Sequence, residues 1–201
     1  MFSDTHQLIA ANIFEIVKSE LGIELDYDGL RYGSILPDIH PLLTFVPHFI
    51  EGSIDLVEKR IRHLENNCFN YDLRKIKRFS VRLGIIIHFV CDYFCVAHNE
   101  KRYNNMYLHY LYELKLKKFF RKYMIKIKDC KELYMPDSWE LSVNLRSFVE
   151  MKHEEYNLKR HSMTNDLLYS MQVSLIVALN VVSRSILNEE RVLIGDLCIK
   201  V

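Results

Sequence analysis

The sequence predicts an all-α fold, a single-domain multi-helix bundle over residues 1–201. Three observations lead there. Only 6 glycines and 4 prolines punctuate 201 residues, so turns are few and elements long, unlike the regularly broken pattern of a sandwich or barrel. Apolar residues recur at helical spacing, as at Leu8, Ile9, Ile13, Ile16 and Val17, which share one face of a 3.6-residue repeat. A content of 49% hydrophobic and 26% charged residues is ordinary for one globular domain with a full core. The net charge of +1 gives the whole chain no strong pull toward nucleic acid or membrane.

Taken in order, the first helix is capped by Ser3 or Asp4 and runs to about Leu21, where Gly22 ends it. "YDGLRYGSILPDIHP" carries two glycines and two prolines in fifteen residues, which predicts a short helical turn at most and then a loop. "GSIDLVEKRIRHLEN" reads as a helix closed by Asn66 and Asn67. A long helix follows from about Asp72 to Val96, and its second half is apolar nearly all round, the mark of a helix buried at the centre of a bundle. Further helices are predicted over 104–128, after "NEKRYNN", over 138–160, opened by Pro136, Asp137 and Ser138, and over 164–187. There is no internal repeat and no low-complexity segment.

No uninterrupted apolar run reaches the ~20 residues of a membrane span; the 83–97 run is short and contains Asp92. The N-terminal stretch lacks the basic start and continuous apolar core of a secretory signal. Five scattered cysteines (Cys68, Cys91, Cys95, Cys130 and Cys198) form no paired framework. The expectation is a cytoplasmic protein with reduced thiols. Cys91 and Cys95 read as small core residues, and Trp139 as packing near a helix start.

The chemistry is concentrated in "IIIHFVCDYFCVAHNE", residues 85–100. Charged groups are costly to bury unless paired or bound to metal. His88 and Asp92 stand at i and i+4, one above the other on a helix. His98 follows at the helix end. The next helix supplies His109 and Glu113, again at i and i+4. Upstream lie His6, one turn into the first helix, Asp38 in "GSILPD" and His48 in "PHF". Each pair alone is more often an exposed helix-face pair or a satisfied core network. The ordered series is more informative, because imidazoles and carboxylates from several bundle helices are the ligands of hydrolytic zinc sites. His40, His63, His153 and His161 have no place in the series and read as surface or loop residues.

In this order of ligand types the chain resembles the zinc-dependent phospholipase C family, whose fold is shared by the fungal single-strand nucleases of the S1/P1 type. The family's H-x3-D-x5-H appears as His88, Asp92 and His98, and its H-x3-E as His109 and Glu113. Its loop aspartate and histidine match Asp38 and His48, and its early histidine matches His6. The resemblance implies up to three zinc ions. One is held by Asp38, His48, His88 and Asp92, and a second by His98, His109 and Glu113. The third is held by His6, a bridging Asp92 and the amine and carbonyl of the first residue, which is a processed tryptophan in secreted members and Met1 here. It further implies phosphoric diester hydrolysis by a zinc-activated water, with Asp38 able to take the proton. For a phospholipase C the substrate is a phospholipid, cleaved to diacylglycerol and a phosphorylated head group. The alternatives are a nuclease or nucleotidase on the same site, or a non-catalytic zinc-binding relative. No obligate protein partner is implied.

Two features bear on substrate. Phe45 stands three residues before His48, where the lipase members have an aromatic able to face a choline-type head group; a core role is equally open. Ile39 stands where those members carry tyrosine. Residues 114–131 hold seven lysines, one arginine and one aspartate among aromatic and aliphatic residues. This basic amphipathic stretch suits an anionic membrane surface or nucleic acid, although a solvated helix face over the core is the favoured reading. At the N-terminus, five positions separate Met1 from His6, a short spacing closer to the nuclease branch. A Met1 amine bound to metal and a frayed terminus are both open readings.

Overall fold

The computed structural model describes residues 1–67, 72–128 and 144–198. Among these residues there are helices and turns and no strand, as the sparse turn residues predict. Helix α1 spans Ser3–Leu21 and ends at Gly22, whose φ of 67° is left-handed, with its N–H donating to the Lys18 carbonyl. Its start differs from expectation. The N-cap is Phe2, without a side-chain cap. Ser3 and Asp4 lie inside the helix and serve tertiary contacts instead. The Ser3 hydroxyl donates to Asp38 Oδ2 at 3.2 Å, and Asp4 pairs with Arg121 at 2.8 Å and with Lys117.

The segment expected to be mostly loop forms two short helices, α2 (Tyr27–Gly33) and α3 (Leu36–Ile39). Asp26 caps α2 by accepting from the Gly29 N–H, and Pro37 sits where a first-turn proline costs nothing. Asp38 therefore stands on a helical turn. Of the glycines that suggested a loop, Gly33 serves packing: a Cβ there would run into the Val81 backbone, just as one on Gly84 of the facing helix would run into that of Leu30. Helix α2 thus lies backbone to backbone on the long helix α5.

Helix α4 spans Ile50–Asn66 and α5 spans Leu73–Tyr93, the latter capped by Asp72, which accepts from the Arg74 and Lys75 N–H groups. As predicted, α5 is the central helix, packed against α2, α4 and α9, with Leu83, Ile86, Ile87, Phe89 and Val90 fully buried. It does not continue to Val96. The chain breaks at Phe94–Cys95 and resumes as α6 (Val96–Asn99). Asn99 stabilises the break by donating to the Tyr93 and Cys95 carbonyls at 2.9 and 2.8 Å. His153, expected at the surface, is buried and donates to Asn99 Oδ1 at 2.9 Å.

A 3₁₀ turn (Lys101–Asn104) leads into α7 (Met106–Lys128). Leu116, Phe120 and Met124 on α7 are buried, so the apolar side of this part of the basic stretch faces the core, while Lys115, Lys118, Arg121 and Lys122 face outward. Residues 129–131 of that stretch lie outside the described residues, as do Trp139 and the Pro136–Ser138 helix start. Helix α8 spans Leu145–Leu158, capped by Asn144, and α9 spans Met163–Cys198, longer than its pattern suggested. Within α9, Met163–Asn188 is long and apolar enough to cross a membrane by length and composition. Of its apolar window 72% is buried inside the bundle, so here it serves as a core helix. Cys91 and Cys95 are free, buried thiols.

Candidate metal centre

The site is assembled around one carboxylate. His88 and Asp92, one turn apart on α5, are both fully buried, and Asp92 meets five groups from four parts of the chain. Its Oδ1 lies 2.6 Å from the Met1 nitrogen, 3.2 Å from His6 Nε2 and 3.5 Å from His98 Nε2. Its Oδ2 lies 2.7 Å from His48 Nδ1 and 3.3 Å from His88 Nε2. Helix α1 delivers Met1 and His6, and the segment between α3 and α4 delivers His48. The break after α5 delivers His98: on a continuous helix it would sit about 120° around from Asp92. Met1, whose nitrogen is also 3.0 Å from His98 Nε2 and 3.1 Å from Glu113 Oε1, is buried rather than frayed.

Three overlapping groups each bring their ligand atoms within 4.8 Å of one another: Asp38, His48 and His88; His6, His88 and Asp92; and His98, His109 and Glu113. All nine residues of the ordered series, Met1 included, therefore come together. The sets differ from the expected ones in two respects: Asp92 is grouped with His6 and not with Asp38 and His48, and His88 is shared between the first two groups, with its ring stacked on that of His6 at 3.9 Å. Phe45 is 89% exposed, which rules out the core role.

Electrostatics sharpen the picture. Burial would raise the Asp92 carboxyl, but the Met1 ammonium and the imidazoles of His98, His6 and His88 hold it well below the carboxylate range. Glu113 is held low in the same way, against burial, by the Met1 ammonium and by hydrogen bonds from His109 and His98. Burial pushes His6 down to about 4, so its ring is neutral near pH 7. Burial also lowers His98. Burial opposes the charged form of His48, yet the hydrogen bond and charge of Asp92 outweigh it and hold the group above the ordinary histidine value.

The donor set fits zinc. His88 Nδ1 lies 2.8 Å from the Ser34 carbonyl; a carbonyl only accepts, so Nδ1 carries a proton, and in the neutral ring Nε2 presents a lone pair. That lone pair faces Asp92 Oδ2, Asp38 Oδ1 at 3.6 Å and His48 Nδ1 at 3.2 Å. Both ring nitrogens of His6 are buried without a hydrogen-bond partner, Nε2 being near Asp92 but not aligned with it. Imidazoles and carboxylates crowded together in this way are a ligand set for a cation, and a histidine oriented by a backbone carbonyl is the usual supporting arrangement of zinc ligands.

The sequence matches the zinc dependent phospholipase C family over residues 5–164, a span that includes every candidate ligand except Met1. The chain belongs to the zinc-dependent phospholipase C family. No curated protein and no solved structure is significantly similar to it. Family membership makes it a member of a zinc-dependent hydrolase family whose substrates are phospholipids, and each of the three ligand groups could hold a metal ion.

Sequence reasoning missed the supports of this family site. Ser34 and Asn99 carry no ligand chemistry, Ser3 has the chemistry of a helix cap, and His153 has no place in the ordered series. Asp166 lies in the first turn of α9 and has no place in the ordered series of ligand types. It is fully buried and accepts from the Tyr112 hydroxyl at 2.7 Å, the Tyr156 hydroxyl at 2.8 Å and the Val96 N–H at 3.2 Å. It thereby ties α9 to α6, α7 and α8, beside His98 and Glu113. Burial outweighs those three donors and raises its carboxyl to about 6. Asp166→Ala strands all three donors and should destabilise the protein by about 2–4 kcal/mol, measured by urea denaturation; a change below about 0.5 kcal/mol would show that water replaces the carboxylate.

Proposed function

We propose that this protein is a zinc-dependent phosphodiester hydrolase that cleaves phospholipids in the manner of a phospholipase C. The observation that carries the reading is the convergence of imidazole nitrogens from several elements on both oxygens of Asp92. Zinc bound there supplies positive charge that activates water and neutralises phosphoryl oxygens. The chain supplies the rest. Asp92 orients groups on both of its sides, and Glu113 does so for His98 and His109. Asp38, partly exposed and steadied by the Ser3 hydroxyl, accepts the proton released by the attacking water. Asp38, His48, His98 and His109 are all partly exposed, so substrate can reach the site, and this favours an enzyme over a purely structural metal protein.

The test is metal analysis by plasma mass spectrometry beside turnover of phospholipids and of single-stranded nucleic acid, for the wild type and Asp38→Asn. Up to three zinc ions, phospholipid turnover, and a loss of about 10²-fold or more in the variant are expected. A zinc-free protein as purified from zinc-supplemented medium, inactive on every substrate, would overturn the proposal. The nuclease reading is supported by the exposed aromatics Phe45, Tyr107 and Tyr110 beside the site, which can stack bases; turnover of nucleic acid alone would favour it.

The Met1 nitrogen is walled in by Asp92, His98 and Glu113, which favours its amine as part of the third site. A peptide extension ahead of Met1 turns that amine into an amide and forces the chain outward. We expect one zinc ion and most activity to be lost. An extended protein that retains wild-type zinc content and turnover would show that the amine is not a ligand.

A further inference from the structure

Among the described residues fourteen large apolar side chains are exposed, and eight of them fall in two short stretches, residues 39–49 and 106–110. The most exposed of these eight are Leu42 at 80%, Phe45 at 89%, Met106 at 86% and Tyr107 at 69%. Neither stretch contains an aspartate, glutamate, lysine or arginine. An exposed apolar cluster of this kind marks an interaction surface rather than ordinary solvated protein.

Its position identifies the occupant. Asp38 and His48 bracket most of the first stretch, and His109 lies inside the second. These are three of the partly exposed residues of the metal centre. Phe2, next to the buried Met1, packs edge-on against Tyr110 at 5.5 Å, so the second stretch is anchored at the site itself. Lys101, exposed and without an ion pair among the described residues, stands in the turn just before it. A protein seated across both stretches would close the mouth between them. A phospholipid leaflet seated there would instead present its head groups to that mouth, with tyrosines and a lysine at the level where such residues favour the lipid interface. The basic stretch on α7 is less suited, because its apolar side is in the core.

We propose that residues 39–49 and 106–110 form a lipid-docking rim that enters the head-group layer of a phospholipid leaflet and delivers head groups to the metal centre between them. This rests on the phospholipase reading for its purpose, but its test does not require turnover. The zinc-loaded protein is floated with phosphatidylcholine vesicles and with mixed phosphatidylcholine and phosphatidylserine vesicles. Wild type should bind, and Leu42→Ser with Met106→Ser should weaken binding about tenfold or more, with zinc content and circular dichroism unchanged. Lys115→Ala with Lys118→Ala should bind as wild type does. As a check that does not depend on the double variant folding, Met106→Trp should gain blue-shifted fluorescence on vesicle addition, quenched by brominated lipid.

The rim is overturned if wild type does not bind vesicles, if the double serine variant binds as well as wild type, or if the new tryptophan stays in water. It is also overturned if wild type is a dimer by light scattering and the serine variant a monomer, which would make the face a contact between copies. Vesicle binding without hydrolysis would leave the rim standing and remove the phospholipase reading. Hydrolysis of a soluble short-chain phosphodiester without vesicle binding would do the reverse.

Discussion

Asp92→Asn is expected to release at least one zinc ion per chain and to lower hydrolysis by roughly three orders of magnitude or more. The asparagine keeps the shape of the side chain but removes the charge that faces His6, His98 and the Met1 nitrogen on one oxygen and His48 and His88 on the other. Breaking one partner of a buried charged cluster costs about 3–5 kcal/mol, which the large apolar core around α5 should absorb without loss of helicity. Plasma mass spectrometry, circular dichroism and turnover read the three effects separately. Wild-type zinc content in the variant would mean that Asp92 neutralises its neighbours without bridging metal.

Removal of metal by a strong chelator should lower the melting temperature by ~10 °C or more. The candidate ligands come from α1, α3, α5, α6, α7 and the segment before α4, so bound metal joins parts of the chain that are far apart in sequence, and its binding energy is linked to folding. For a chain of this size each kcal/mol moves the midpoint by about 2–4 °C, so a loss of a few kcal/mol gives that shift. His109→Ala disrupts only the group shared by α6 and α7 and should reproduce part of it. A melting curve unchanged in chelator would show that the helices hold their places without metal.

Much of this was legible in the sequence because the determining signals are local. The apolar run of α5 marks a central helix whatever surrounds it, since it has no polar face to turn outward. His88 with Asp92 and His109 with Glu113 are fixed on common faces by the helical repeat alone. Gly22 ends α1 because its left-handed φ suits glycine. The family, the ligand types and their order could all be read from such short patterns.

Other features followed from contacts between distant residues. Glycines and prolines at 27–41 signalled a loop, but Gly33 and Gly84 are small because two backbones touch there, and that contact sets the Ser34 carbonyl against His88. The apolar composition of residues 94–97 suited a continuing helix; Asn99, held by His153, stabilises the break that aims His98 at Asp92. Ser3 and Asp4 have the chemistry of caps, yet Asp38 and the α7 cations engage them. The sequence by itself determined most of the helices, the candidate ligand residues and the family, since these depend on spacing within one element. Only the tertiary structure decided which candidate ligands share a group, that Met1 is buried among them, and that apolar residues flanking Asp38, His48 and His109 in the chain are exposed. Those depend on distances between elements, which packing sets and no local pattern encodes.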